Sequence, residues 1–487
     1  MDGTGVRARR LTRRAAPVAV ATVAAVGAGV GAVLRDEDRR DRLDRQLRVY
    51  RLSARRGLHW ANVKLRGRRA SDQRRAELEE QFAIRTAEDV ARVLGGMKGA
   101  IMKAGQMVSF LADGLPPEAQ AALATLQADV PPMAPSLAES VVEAELGDHP
   151  RALFLDWSPV PAAAASIGQV HRAVLHDGRR VAVKVQYPGV DRAIRADLDN
   201  AELLYGMFAA FALKNMDVRA MVDELRARMA DELDYRLEAS CQASFAERYR
   251  GHPFVAVPDV VPELSSRRVI TSEWVDGLTW AELCATATPA QRQRAAEVLF
   301  RFAEGSIWRH GVFNGDPHPG NYRFHPESGR VTFLDFGLVK RWLPGELEGL
   351  APILHAILRQ DRDGLVASLV DAGFLARDHG LPHDVLYEFC STPYLPFQRE
   401  RFRYSSEFVS STLQRMLDMT GTYGDVIRSL NMPPSYVILD RVVWGMSALF
   451  GKLEAEGPWR AMLDEYVGGG PPATDLGRIE AEWSARG

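Results

Sequence analysis

The sequence predicts an α+β chain of two lobes, a small β-rich one followed by a large helical one. Alternating and β-branched runs cluster at 151–190 and again at 255–274, with helical spacing on either side of them. With 46% hydrophobic and 25% charged residues, the composition is ordinary for a globular protein. It excludes a disordered, collagen-like or polytopic membrane protein. The 487 residues suffice for two to four domains. Three cysteines, Cys241, Cys284 and Cys390, exclude a disulfide scaffold and point to a reducing compartment.

The net charge of −2 hides an asymmetry. Residues 1–75 hold 20 Lys and Arg against 7 Asp and Glu, so the remainder is acidic. A basic terminal arm suits a membrane surface; a solvated charged helix is the plain alternative. Arg7, Arg9, Arg10, Arg13 and Arg14 precede Ala16–Leu34, 19 uncharged residues rich in Ala, Val and Gly. That length is close to the ~20 residues a spanning helix needs. A membrane anchor, a signal or targeting peptide and a loosely ordered tail are the competing readings, the anchor preferred. Gly27 and Gly31 form a GxxxG pair, the one pointer to a homodimer.

After the basic segment 1–75, residues 76–150 read as a helical extension. It turns at Asp129–Pro135 and resumes over Ser136–Leu146, stopped by Gly147. The small lobe is expected over 151–275. Its strands Gly168–Leu175 and Arg180–Gln186 flank Asp177-Gly178, a hairpin signal. A helix-rich stretch covers 191–250, and strands return at Val255–Val261 and Arg268–Trp274. The large lobe is expected over 276–467, with a helix at 289–309 closed at Gly311 and helical spacing from Leu338 almost to Gly468. No site is assigned to helices 346–466. Gly and Pro at 468–472 open a loose C-terminal tail, 468–487.

Val181-Ala182-Val183-Lys184 closes the second strand. Alternation puts Ala182 and Lys184 on one face and the valines on the other. A lysine there is placed to hold a cation over phosphates, although most such lysines, taken alone, simply cap a strand. Asp316-Pro317-His318-Pro319-Gly320-Asn321 follows the Gly311 stop. Its D-x4-N spacing lets Asp316 face an acceptor hydroxyl or water while Asn321 reaches a metal on the nucleotide, and the prolines stiffen the loop. Fourteen residues later, Asp335-Phe336-Gly337 ends the strand Val331–Leu334. A carboxylate there suits Mg²⁺, which takes few protein ligands, so Asp335 and Asn321 suffice. Each motif alone is weak. The ordered set is specific, and in this lobe order it is that of a protein-kinase-like fold using ATP and Mg²⁺.

Several features depart from an ordinary kinase. The loop expected to cover the phosphates is Pro161 to His171, in which Ala163, Ala164, Ala165 and Ser166 are candidate nucleotide-binding residues. Alanine lacks the positive-φ freedom of glycine, so this loop is expected to be stiffer. Glu273 and Val275, at the hinge between lobes, are further candidates. Gly315, not arginine, precedes Asp316, and Phe336 to Ala367 contains no Ser, Thr or Tyr, so activation-loop phosphorylation has no acceptor. Lys103-Ala104-Gly105-Gln106 puts Lys103 and Gln106 on one helical face, a pattern that alone reads as an ordinary solvated helix. Glu224 and Glu232 fall within ~80° on a helical wheel, and either is a candidate partner for Lys184. Glu232 and Asp234 cannot both face one site in a regular helix.

Together these motifs resemble the UbiB, or AarF-type, family of atypical kinases, from about Glu88 to Leu343. The resemblance rests on K-x-G-Q (Lys103, Gly105, Gln106), Ser166-Ile167-Gly168-Gln169-Val170-His171, Val181–Val190, E-x-D (Glu232, Asp234), Asp316–Asn321 and Asp335–Gly337. Asn314 departs from it, standing where the family more often has His. The resemblance implies a kinase-like fold with an N-terminal helical extension laid over the active site. It places Lys103 and Gln106 near the cleft and has Glu232 hold the extension there. It also implies ATPase rather than protein-kinase chemistry, a role in the biosynthesis or distribution of isoprenoid quinone lipids, and membrane association; the catalytic lobes are expected on the cytoplasmic side.

The expected function is an Mg²⁺- and ATP-dependent ATPase or kinase, with Lys184 and Asp316 catalytic and Asn321 and Asp335 holding metal. Its partner is a membrane lipid or prenyl-lipid intermediate, with no nucleic acid. A small-molecule kinase of the aminoglycoside- or choline-kinase type and a nucleotide-gated lipid-binding scaffold are the alternatives.

Overall fold

The computed structural model describes residues 133–165, 167–191, 230–417, 421–431 and 433–486. The Ala16–Leu34 segment, the K-x-G-Q motif, Ser166 and Glu224 lie outside them. Among the described residues, no helix is long and apolar enough to cross a membrane.

The small lobe opens with α1 (Pro135–Leu146), which ends at Gly147 in the left-handed region (φ 89°), a conformation glycine takes without a Cβ penalty. A single turn, α2 (Pro150–Leu153), leads to the strands β1 (Asp156–Trp157), β2 (Ala163–Ala164), β3 (Gly168–Val174) and β4 (Arg180–Gln186). Asp177-Gly178 turns the β3–β4 hairpin as expected, with Gly178 at φ 88°. After α3 (Tyr235–Arg248) and β5 (Val255–Ala256) comes β6 (Val269–Glu273). The antiparallel sheet runs β1-β3-β4-β6, with β2 also on β3. Register sets Lys184 opposite Val170 on one side and Ile270 on the other. Val181, Val183 and Val185 fill the core with Val142, Phe154 and Trp157. Lys184 therefore points to the opposite face.

The expected strand Val255–Val261 shrinks to two residues. Pro258 lacks an N–H to continue a ladder, and only Val260 re-forms a bridge, with Ser272.

The large lobe starts with α4 (Trp280–Thr286) and α5 (Pro289–Glu304). Thr288 and Gln291 form a capping box on α5, with Pro289 in its first turn. Nearly every residue of its second half is buried, so α5 forms the axis of the lobe. The chain continues through β7 (Val312–Asn314), β8 (Tyr322–His325), β9 (Arg330–Phe333) and β10 (Val339–Arg341). Then come α6 (Glu346–Arg359), α7 (Arg362–Asp371), α8 (His383–Ser391), β11 (Phe402–Arg403) and α9 (Ser406–Leu417). The lobe closes with α10 (Gly424–Ser429), α11 (Pro434–Leu453), β12 (Glu456–Gly457), α12 (Trp459–Val467) and α13 (Asp475–Ser484).

Helix α13 corrects the expectation of a loose tail. The Gly and Pro run is a turn, after which Thr474 caps a docked helix. Glu480 is buried and bonds Arg301 and Tyr466, while Trp483 packs on His252 at 4.4 Å. Arg301, fully buried on α5, also pairs with Glu297 and Glu465. A buried guanidinium demands such partners, so α13 completes the lobe.

Candidate active site

Lys184 Nζ donates to both carboxylate oxygens of Glu238, at 2.7 and 2.9 Å, and approaches Asp335 Oδ2 at 3.4 Å. It lies 5.0 Å from the Tyr235 ring. The partner of Lys184 is thus Glu238, in the first turn of α3, and not Glu232. The regular helix assumed for 224–238 breaks at Leu233 and Asp234, which resets the helical wheel. Asp234 is the N-cap of α3, accepting from Arg236 N at 3.1 Å and pairing with its guanidinium. Burial raises the Tyr235 and Glu238 pKa values, and the charge of Glu232, itself buried nearby, adds a little to both.

Burial pulls the Lys184 ammonium down, but the Asp335 and Glu238 carboxylates hold it well above its ordinary value. Burial pushes Glu238 up to about 7, with Lys184 opposing and Asp335 reinforcing the shift. One ammonium facing two carboxylates leaves excess negative charge in a poorly solvated cleft.

The D-x4-N loop joins β7 to β8. Asn321 Nδ2 donates to Asp316 Oδ2 at 3.2 Å and to its carbonyl at 3.1 Å. Asn321 O accepts from Leu334 N at 2.9 Å, which brings the loop against the DFG segment. Asn314 ties the two motifs together: its Oδ1 accepts from Asp316 N at 2.8 Å and its Nδ2 donates to Asp335 O at 2.6 Å. Asp316 Oδ1 pairs with the Arg441 guanidinium on α11. Phe336 is buried against Phe245 of α3, with ring centroids 4.8 Å apart.

The Ala-rich segment is a hairpin. Ala163 pairs with Val170 and Ala164 with Gln169, and Ala165 N donates to Gly168 O. Gly168 is needed for close approach: a Cβ there would strike Val185 O and lie 2.9 Å from the Tyr235 hydroxyl. Glu273 stands opposite Val181, on the sheet face away from Lys184, and its carboxylate accepts from Asp259 N. Its side chain does not face the Lys184 side of the sheet. Val275 is half-buried in the link between lobes.

Only a short stretch joins Gly337 to α6, and it is tied down at several points. β10 pairs with β7, Trp342 Nε1 donates to Ile307 O, and Lys340 pairs with Glu346 at 3.2 Å. No long activation segment separates the DFG motif from the helical lobe.

Among the described residues, no group of three or more His, Cys, Asp or Glu side chains could hold a metal ion. The donor types nonetheless fit Mg²⁺ arriving with phosphates: Asp335 offers a carboxylate and Asn321 an amide oxygen, both hard ligands, and the surplus carboxylate charge favours a divalent cation.

A strand lysine held by a helix glutamate, a D-x4-N loop and a DFG acid define a protein-kinase-like site in a kinase-like fold. The chain belongs to the ABC1 atypical kinase-like family, whose model matches residues 125–369. It is 31% identical over 290 residues to rat atypical kinase COQ8B, mitochondrial, covering 59% of this chain and 54% of that protein. To Arabidopsis thaliana ACTIVITY OF BC1 COMPLEX KINASE 3, chloroplastic, it is 31% identical over 381 residues, covering 76% and 51%. The chain spans about half the length of the curated relatives it matches. The structure of Rv3197 with erythromycin, from Mycobacterium tuberculosis, matches with a TM-score of 0.59 and 33% identity, covering 82% of this chain and 98% of that one.

Glu238 and Arg441 are the site residues that sequence reasoning missed; Asn314, noted there as a departure from the family pattern, holds Asp316 N and Asp335 O. The capping signal of Asp234 was available for Glu238. Nothing local points to Arg441.

Proposed function

We propose that the chain is an Mg²⁺-dependent ATPase or phosphotransferase of the UbiB type, acting at a membrane in isoprenoid quinone or other prenyl-lipid biosynthesis. The observation that carries this reading is the convergence of Lys184, Glu238 and Asp335 with the Asn321–Asp316 loop. Lys184 holds the α- and β-phosphates, and Glu238 keeps it charged and aimed. Asp335 and Asn321 are the residues to hold Mg²⁺, which when bound neutralises charge on the transferring phosphate. Asp316 orients the attacking water or hydroxyl. The hairpin at Ala163–Ala165 covers the phosphates, and the adenine lies by the link at Val275.

The short, tied segment after Gly337 offers no platform for a peptide substrate, which favours hydrolysis or transfer to a small acceptor. Similarity to COQ8B supports the quinone assignment. The Ala16–Leu34 segment serves as the membrane anchor, with the lobes on the cytoplasmic side and Gly27 and Gly31 as the homodimer contact, and Lys103 and Gln106 cover the cleft. The M. tuberculosis structure is a complex with erythromycin, so a bulky organic amphiphile belongs beside prenyl headgroup mimics among the ligands to offer.

The test is ATP turnover by the purified chain with and without Mg²⁺, anionic liposomes and a prenyl-lipid headgroup mimic, beside Asp335→Asn. Stimulated hydrolysis that the variant loses supports the reading. Equal binding and hydrolysis by both proteins overturns it.

A further inference from the structure

Three consecutive residues of the catalytic loop sit on one stripe of α11. A Cβ on Gly315 would strike Ile438, Asp316 pairs with Arg441, and a Cβ on Gly445 would strike Pro317. Positions 438, 441 and 445 are spaced i, i+3 and i+7, so they share one helical face. Arg441 is 9% exposed, and in the pair the two side chains are 11% and 12% exposed. The pair joins residues 125 apart in sequence.

We infer that α11 is the seat of the catalytic loop and that Arg441 is a positioning residue for Asp316, setting the direction in which its carboxylate faces the attacking water or hydroxyl. This rests on the nucleotide reading above and adds a residue to it.

Four observations converge on this role. The sequence lacks the arginine that ordinarily precedes the catalytic acid, because Gly315 stands there. Gly315 in turn lets Ile438 come close enough to bring Arg441 within reach. Asp316 is then held at both oxygens, Oδ1 by Arg441 and Oδ2 by Asn321. Two fixed contacts at different oxygens define the plane of a carboxylate, which one contact does not. Gly445 keeps the backbone of α11 near Pro317, so the loop and helix interlock on both sides of the ion pair.

The test compares full-length wild type with Arg441→Met, Arg441→Lys and Gly445→Ala. Two readouts are taken: Mg-ATP affinity against turnover number, and hydrogen–deuterium exchange of residues 312–321 without nucleotide. Arg441→Met is expected to lower turnover by about 10²-fold while Mg-ATP affinity stays within about threefold. Arg441→Lys, which keeps the charge but not the fork, is expected to recover part of that loss. Gly445→Ala is expected to fall like Arg441→Met although the charged pair remains. Exchange at 312–321 is expected to quicken in Arg441→Met and Gly445→Ala.

Turnover in Arg441→Met equal to wild type overturns the inference, as does a parallel loss of affinity and turnover with no rescue by lysine. If Arg441→Met does not fold, Arg441→Lys and Gly445→Ala decide by the same criteria. Wild type that neither binds nor hydrolyses ATP sinks the nucleotide reading; quicker exchange then leaves a structural clamp only, which also overturns the positioning role.

Discussion

Lys184 and Glu238 are joined by two hydrogen bonds across the small lobe, from the centre of β4 to the first turn of α3. With Asp335 3.4 Å away on the other side, Lys184 links the sheet, the helix and the DFG segment.

Glu238→Gln removes the ionic partner and lets Lys184 swing toward Asp335. ATP turnover is expected to fall by about 10²-fold, the scale of a misplacement of about 1 Å in an active site. Glu232→Gln leaves the pair intact and is expected to cost at least about tenfold less. Steady-state hydrolysis of the two variants side by side checks the order, and the reverse order would return the pairing to Glu232.

Chelation of divalent cations is expected to weaken ATP binding in wild type and to change it little in Asp335→Asn, because that variant has already lost the charged ligand. Calorimetric titration with and without Mg²⁺ reads this directly. Equal Mg²⁺ dependence in both proteins removes Asp335 from the metal site.

Gly168→Ala places a methyl group against Val185 O and the Tyr235 hydroxyl. Overpacking of this kind costs about 1–3 kcal/mol, so the denaturant midpoint is expected to fall. Ala164→Gly, on the exposed strand of the same hairpin, is expected to change stability much less. Equal effects would mean that the hairpin is not seated on Tyr235.

His252 carries a pH signature. Burial, followed by the charges of Arg330, Arg309 and Arg301 and of His310, lowers its pKa from 6.5 to about 3. Its Nδ1 accepts from Val255 N at 3.0 Å, and its Nε2 faces Glu480 at 4.0 Å. The unfolded chain binds the proton first, so this group's contribution to stability is intact above 6.5 and is lost as pH falls toward 3. The slope is about 1.4 kcal/mol per pH unit. Glu480, raised by burial, works in the opposite direction, so the readable quantity is the difference between proteins. His252→Gln is expected to flatten the stability curve between pH 6 and pH 4 by about that slope. Parallel curves would show that His252 titrates normally.

The kinase-like fold was legible because its signals are local: a D-G hairpin, a period-two strand carrying Lys184, and a carboxylate just past the end of β9. Lys184, Asp316, Asn321 and Asp335 stand out in the sequence as an ordered set of short motifs. What escaped depends on where helices begin and how they dock. Glu238 escapes a helical wheel drawn through Asp234, because Asp234 is a cap. Helix α13 escapes because a Gly-Pro turn looks the same whether or not a docked helix follows. Arg441 reaches Asp316 only through tertiary packing, so no window of sequence around either residue contains the signal.

The seating of Phe336 has a pharmacological consequence. Many kinase inhibitors require the DFG phenylalanine to leave its place and open an adjoining hole. Here that excursion must break the Asn314 bond to the Asp335 carbonyl and withdraw an aromatic ring from Phe245. Compounds of that type are expected to bind poorly, and adenosine-shaped molecules that leave Phe336 undisturbed are the better starting chemistry.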